Sequence, residues 1–114
     1  MIIAWDVDDT LIIPSVATGL PTDTPNYENI AVFRWFQDQG HHMVIWSGSG
    51  MDYAKRWADK LGLQAEIWAK GASAAVDIAF DDMGSVNLGK VNVKVRRLNN
   101  SVSRKDWNER KGRP

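Results

Sequence analysis

Cysteine is absent from this chain of 114 residues, so neither a disulfide nor a thiolate metal site is open to it. Histidine is scarce. His41 and His42 are the only two, and as neighbours on a strand they would point to opposite faces, which argues for structural roles over a shared metal. Long apolar runs are missing too, since no stretch approaches the roughly 18 residues of a membrane span. Met1 to Ala4 lead straight into Trp5 and Asp6, without the basic start and extended apolar region of a secretory signal. A soluble, cytoplasmic protein with no membrane partner is expected. Net charge is also lacking, at +0, but the zero hides a division. Residues 1–89 hold 12 Asp and Glu against 5 Lys and Arg, whereas residues 90–114 hold 9 Lys and Arg against Asp106 and Glu109.

What is present suits one compact domain. Apolar residues make up 44% and charged residues 25%, enough for a core with a normal surface. We place the domain at residues 1–98 and a basic, flexible tail at 99–114. Such a tail is usually a solvated terminus. The sharper alternative is contact with nucleic acid or another acidic partner.

Along the chain, Met1–Trp5 is a continuous apolar run, as in a strand buried on both faces. Residues 11–24, broken by Pro14, Gly19 and Pro21, read as a loop or small flap. Thr24 and Pro25 predict an N-cap and first helical position, with a helix to about Gln39 that turns Ile30, Phe33 and Phe36 inward. His42–Trp46 reads as a second strand. Ser49 is the expected cap of a second helix, in which Ala54, Trp57, Ala58 and Leu61 recur with helical spacing up to Gly62. Ala65–Ala69 and Val76–Phe80 predict further strands, with a turn or short helix over 70–75 between them. Val91–Val95 alternates like an edge strand. Strands alternating with helices imply an α/β fold, an open parallel sheet with right-handed crossovers. Ligands in such sheets bind beyond the carboxyl ends of the strands, and there stand Asp6, Asp8, Ser47, Asp81 and Asp82.

Asp6-Val7-Asp8-Asp9-Thr10 puts two carboxylates at i and i+2 where a strand ends, on the same side of extended backbone. Crowded carboxylates need a cation or a shared proton. A calcium loop starting at Asp6 fails, because Thr10, Leu11 and Ala17 stand where it needs an acid or amide, a glycine and a glutamate. Farther on, Val44-Ile45-Trp46-Ser47 is an apolar strand ending in a hydroxyl, followed by Gly48. Lys70 begins a turn after the third strand, and Ile78-Ala79-Phe80-Asp81-Asp82 ends an apolar strand in two acids.

Together these segments resemble the four motifs of the haloacid dehalogenase-like superfamily of phosphatases and phosphotransferases, and they span Asp6 to Asp82. The resemblance implies a three-layer Rossmann-like sheet. The segment 11–24 is too short for a helical cap, and the stretch between Ser47 and Lys70 holds one helix and one strand with no inserted domain, so the expected form is the small, capless one. The open site would admit bulky substrates or borrow a lid from another subunit. The resemblance also implies roles. Asp6 would be the nucleophile that becomes an aspartyl-phosphate, and Asp8 the general acid and base. Thr10 would steady Asp8 and the loop and, with Ser47, Gly48 and Lys70, help to hold the phosphate. Lys70 would also neutralise Asp6. Mg²⁺ would be held by Asp6, the Asp8 carbonyl, Asp81 and Asp82, directly or through water at Asp82. An oxygen-only ligand set favours magnesium over zinc.

The chemistry is consistent with this. Attack on a phosphate monoester needs an ionised nucleophile, neutralising cations and a proton for the leaving oxygen. Asp8 favours phosphoryl chemistry, since the family's dehalogenases lack that acid, and the D-K-T-G-T of its transport ATPases is absent. Nor is Ser47 or Ser49 centred in a G-x-S-x-G elbow. The expected activity is Mg²⁺-dependent hydrolysis of a phosphorylated small molecule or nucleotide. One alternative is a nucleic-acid end-processing phosphatase that uses the basic tail. Another is a non-enzymatic phospho-acceptor or binding module. Asp9 and Asp77 read as a loop residue and a strand-end or surface acid. Trp5, Trp35, Trp46, Trp57 and Trp68 read mostly as core, and Trp107 as docked from the tail.

Overall fold

The apolar run at the start of the chain does form the middle of a sheet. In a computed structural model, which describes residues 1–72, 75–83 and 87–97, β1 (Ile2–Asp6) lies between two parallel neighbours and is buried from Ile3 onward. After β1 come β2 (Ile12–Ile13), a single helical turn α1 (Ser15–Thr18) and β3 (Thr24–Pro25), with β2 and β3 paired antiparallel. The remaining elements are α2 (Tyr27–Asp38), β4 (His42–Trp46), α3 (Met51–Leu61), β5 (Glu66–Ile67), β6 (Ile78–Asp81) and β7 (Val91–Lys94). The sheet order is β5-β4-β1-β6-β7 with every pairing parallel, an α/β arrangement compatible with a Rossmann-like fold. The expected tail at 99–114 and Trp107 lie outside the described residues.

Alternation along the strands divides the core. Ile3 and Trp5 of β1, with Met43 and Ile45 of β4, face a cluster containing Ile30 and Phe33 of α2 and Ala54 and Ala58 of α3. Trp5 and Phe80 stack at 3.9 Å between ring centroids where their strands pair. Ala4, Val44, Trp46 and Ala79 face the other way, against Val76, with Trp68 and Leu88 beside them. Both long helices therefore cover one face, and among the described residues the expected third layer consists of connecting segments instead of helices. The physical reason is length. Chain direction across the sheet reverses after β5, so right-handed crossovers change face, and the links from β5 to β6 and from β6 to β7 are only 68–77 and 82–90.

Several local expectations change. Helix α2 starts two residues later than predicted, because Pro25 pairs in β3 and Asn26 becomes the N-cap, its side chain accepting from the Asn29 amide. Gly50, not Ser49, precedes α3, and no side chain caps that helix. Trp35 is 58% exposed on α2, so it does not belong to the core. Trp57 and Trp68 are half-buried, and Trp5 and Trp46 are fully buried. His42 pairs with Glu66 at 3.0 Å, and His41, just before β4, lies 3.1 Å from the N-terminal amine. Asp77 accepts from the Ile2 amide at 2.8 Å, tying the start of β1 to the approach to β6. That bond and Lys90 pull the half-buried Asp77 carboxyl below its usual range. Among the described residues, no helix is long and apolar enough to cross a membrane.

Candidate active site

Register decides which side chains meet. Trp5 pairs with Phe80 across β1 and β6, so one step onward Asp6 and Asp81 lie level at the ends of adjacent central strands. The order of strand connection reverses between β1 and β6, because the chain leaves β1 toward β4 and β5 and returns on the opposite side. This is the switch point at which open α/β sheets bind ligands. On the face opposite α2 and α3, Trp68 anchors the segment after β5 and brings Lys70 over both acids. The Lys70 Nζ lies 3.2 Å from Asp6 Oδ1 and 2.7 Å from Asp81 Oδ2.

Asp6, Asp81 and Asp82 are all buried, and one carboxylate oxygen from each lies within 4.8 Å of the others. Burial first, and the charge of Asp81 next, push the Asp6 carboxyl up to about 8, although Lys70 draws it back. The Asp82 carboxyl is also raised by burial, against the pull of Arg97. Burial lowers the affinity of Lys70 for its proton, but Asp6 and Asp81 together outweigh that and hold the ammonium above its usual range. Lys70 reaches Asp6 and Asp81, and Arg97 reaches Asp82, so two cations face three buried carboxyls. Asp81 Oδ2 is ion-paired yet receives no well-directed hydrogen bond. The residues present fit a hard divalent cation. Such an ion could sit among these oxygens and favour the ionised form of Asp6.

The loop after β1 is tightly wound. The amides of Thr10, Leu11 and Ile12 all donate to the Val7 carbonyl, and Asp9 takes φ 61°, a left-handed conformation that aspartate tolerates better than most residues. Asp8 points to a cleft of about 590 Å³ lined also by Asp6, Asp9, Ser47, Gly48, Ser49, Lys70, Asp82, Met83 and Arg97. Ser47 Oγ accepts from the Ser49 amide at 3.0 Å, which orders the turn after β4. Seven of the eight residues anticipated for the site thus gather in one place: Asp6, Asp8, Ser47, Gly48, Lys70 and Asp82 line the cleft, and Asp81 lies directly beneath it.

Thr10 does not join them. Its side chain is fully buried, its hydroxyl has no hydrogen-bond partner, and its carbonyl accepts from Asn29 Nδ2 at 2.7 Å. It belongs to the packing of the loop, away from the cleft. Two other residues enter that were not anticipated. Tyr53 of α3 donates its hydroxyl to Asp8 Oδ1 at 2.7 Å, and Arg97 Nε donates to Asp82 Oδ2 at 2.8 Å. The signal for Tyr53 was a polar-tipped aromatic in the first turn of the helix that follows Ser47. For Arg97 it was its place in the basic stretch that begins at residue 90. Neither has a motif, because each is defined by what it reaches across the fold.

Comparisons with protein-family models, with curated proteins and with solved structures give no match.

Proposed function

We propose that this protein is a capless, haloacid dehalogenase-like phosphohydrolase that uses Mg²⁺ to cleave phosphate monoesters through an aspartyl-phosphate on Asp6. One observation carries the reading. A buried aspartate at the switch point is bridged by Lys70 to a second aspartate, with a third beside them, and it opens on the same cleft as Asp8 and Ser47. A structural role for these groups is poorly supported, because crowding three buried carboxyls around Lys70 and Arg97 opposes folding.

When bound, a magnesium ion supplies positive charge that draws the substrate phosphate toward Asp6 and offsets the charge that builds up during transfer. Asp6 forms the new bond to phosphorus while the bond from phosphorus to the leaving oxygen breaks. The proton of Asp8 passes to that oxygen. Asp8, now a carboxylate, then removes a proton from the water that attacks the aspartyl-phosphate, and phosphate and free Asp6 are released. Lys70 neutralises negative charge throughout, and Ser47 with the adjoining Gly48 borders the position of the phosphoryl oxygens.

The test is a panel of phosphorylated metabolites and 5′- and 3′-phosphorylated oligonucleotides, with and without Mg²⁺. Oligonucleotides belong in it because Lys94, Arg96 and Arg97 line a pocket that shares Asp82 with the cleft. Release of phosphate from at least one member is expected, and Asp6→Asn should reduce it to background. Full activity in the asparagine variant would sink the proposal.

A further inference from the structure

Tyr53 and Asp8 are 45 residues apart, yet the tyrosine hydroxyl reaches Asp8 Oδ1 at 2.7 Å. The Tyr53 ring is packed against the core cluster that includes Trp5 and Ala54, so its hydroxyl is delivered to a set position by α3. Asp8 stands on the loop after β1 and is partly buried. A carboxylic acid has one proton to give. An oxygen that accepts a hydrogen bond from a phenol is the carbonyl-like one of the pair, which leaves the transferable proton on the other.

We infer that Tyr53 is a positioning residue for Asp8. By occupying Oδ1 as an acceptor, it confines the proton that Asp8 donates to Oδ2 and holds that oxygen toward the cleft. The inference rests on the phosphomonoesterase reading and deepens it. The step concerned is the first half-reaction, in which the Asp6 carboxylate bonds to phosphorus, the ester bond breaks, and the proton on Asp8 Oδ2 moves to the leaving oxygen. A misdirected proton matters only when the leaving group needs one. Loss of Tyr53 should therefore penalise poor leaving groups and spare good ones.

The experiment compares the wild type with Tyr53→Phe on phenyl phosphate and p-nitrophenyl phosphate in saturating Mg²⁺. The two esters have similar shapes, but only the first has a leaving oxygen that depends on protonation. We read kcat/KM, which covers steps up to departure of the leaving group and leaves out the later attack by water. In Tyr53→Phe we expect a fall of about tenfold or more for phenyl phosphate and less than about twofold for p-nitrophenyl phosphate. The ratio between the two esters does not depend on how much of the protein is folded, so a destabilised variant still answers the question. An equal loss on both esters, or no loss on either, overturns the positioning role while leaving the phosphatase reading intact. A wild type that turns over neither these esters nor any member of the panel removes both.

Discussion

Asp6 is buried beside Asp81 and Asp82, and that crowding has a consequence for stability. Its carboxyl is raised to about 8, by burial first and then by Asp81, whereas in the unfolded chain it would titrate near the ordinary 3.8. Between those values the folded protein holds a proton that the unfolded chain has released. Stability from this group is then complete below about pH 4 and is lost as pH rises toward about 8. Asp82, also raised, acts in the same direction. Thermal denaturation of the metal-free protein over pH 4 to 8 should show Tm falling, and Asp6→Asn should flatten the slope. A slope unchanged in the variant would mean that Asp6 is not the group responsible. Residues of this kind were visible in the sequence because each stands where an apolar strand ends. Thr10 was not, since its place next to Asp8 and Asp9 says nothing about which way its side chain turns. Tyr53 and Arg97 escaped for the opposite reason, as their partners are 45 and 15 residues away.

Among the elements, α2 and α3 were recognisable from the spacing of their apolar residues, and the strands β1, β4 and β6 from short apolar runs. Their boundaries depended on competing local interactions. Thr24 and Pro25 make a plausible helix start, but Pro25 is drawn into pairing with Ile12, and the Asn26 amide donates to the Leu11 carbonyl at 2.8 Å. Asn26 is left to cap α2. Replacing it with alanine removes a buried acceptor from the Asn29 amide and should cost about 1 kcal/mol, measured by urea denaturation. The same change at Thr24 should cost much less. The connections between strands show a second constraint. Gly89 has no room for a side chain, because a Cβ there would lie 3.0 Å from the Ala79 amide nitrogen and 3.2 Å from the Val91 carbonyl. That close approach packs the chain just before β7 tightly against β6.

For the whole molecule, the controlling feature is the reversal of strand order between β1 and β6. It opens a gap at the strand ends and sets Asp6 beside Asp81 and Asp82, although 74 residues of chain separate Asp6 from Asp81. A cation held by these oxygens binds only when the sheet is assembled, so it should stabilise the folded state by mass action, about 2.7 kcal/mol at 100 times its Kd. Mg²⁺ should therefore raise Tm by several degrees near pH 8, and a chelator should reverse the gain. Asp81→Asn should abolish the response. An equal shift in that variant would place the ion elsewhere.

The sequence by itself determined the class of elements, their order and the positions of the acids, because hydrophobic periodicity and strand ends are properties of neighbouring residues. The same local logic made Asp6, Asp8, Ser47, Lys70, Asp81 and Asp82 readable as one set. Only the tertiary structure decided that both long helices share a face, that Lys70 bridges Asp6 and Asp81, that Thr10 turns inward, and that Tyr53 grips Asp8. These depend on strand register, crossover hand and side-chain direction, which join parts of the chain that carry no mark of one another until they pack.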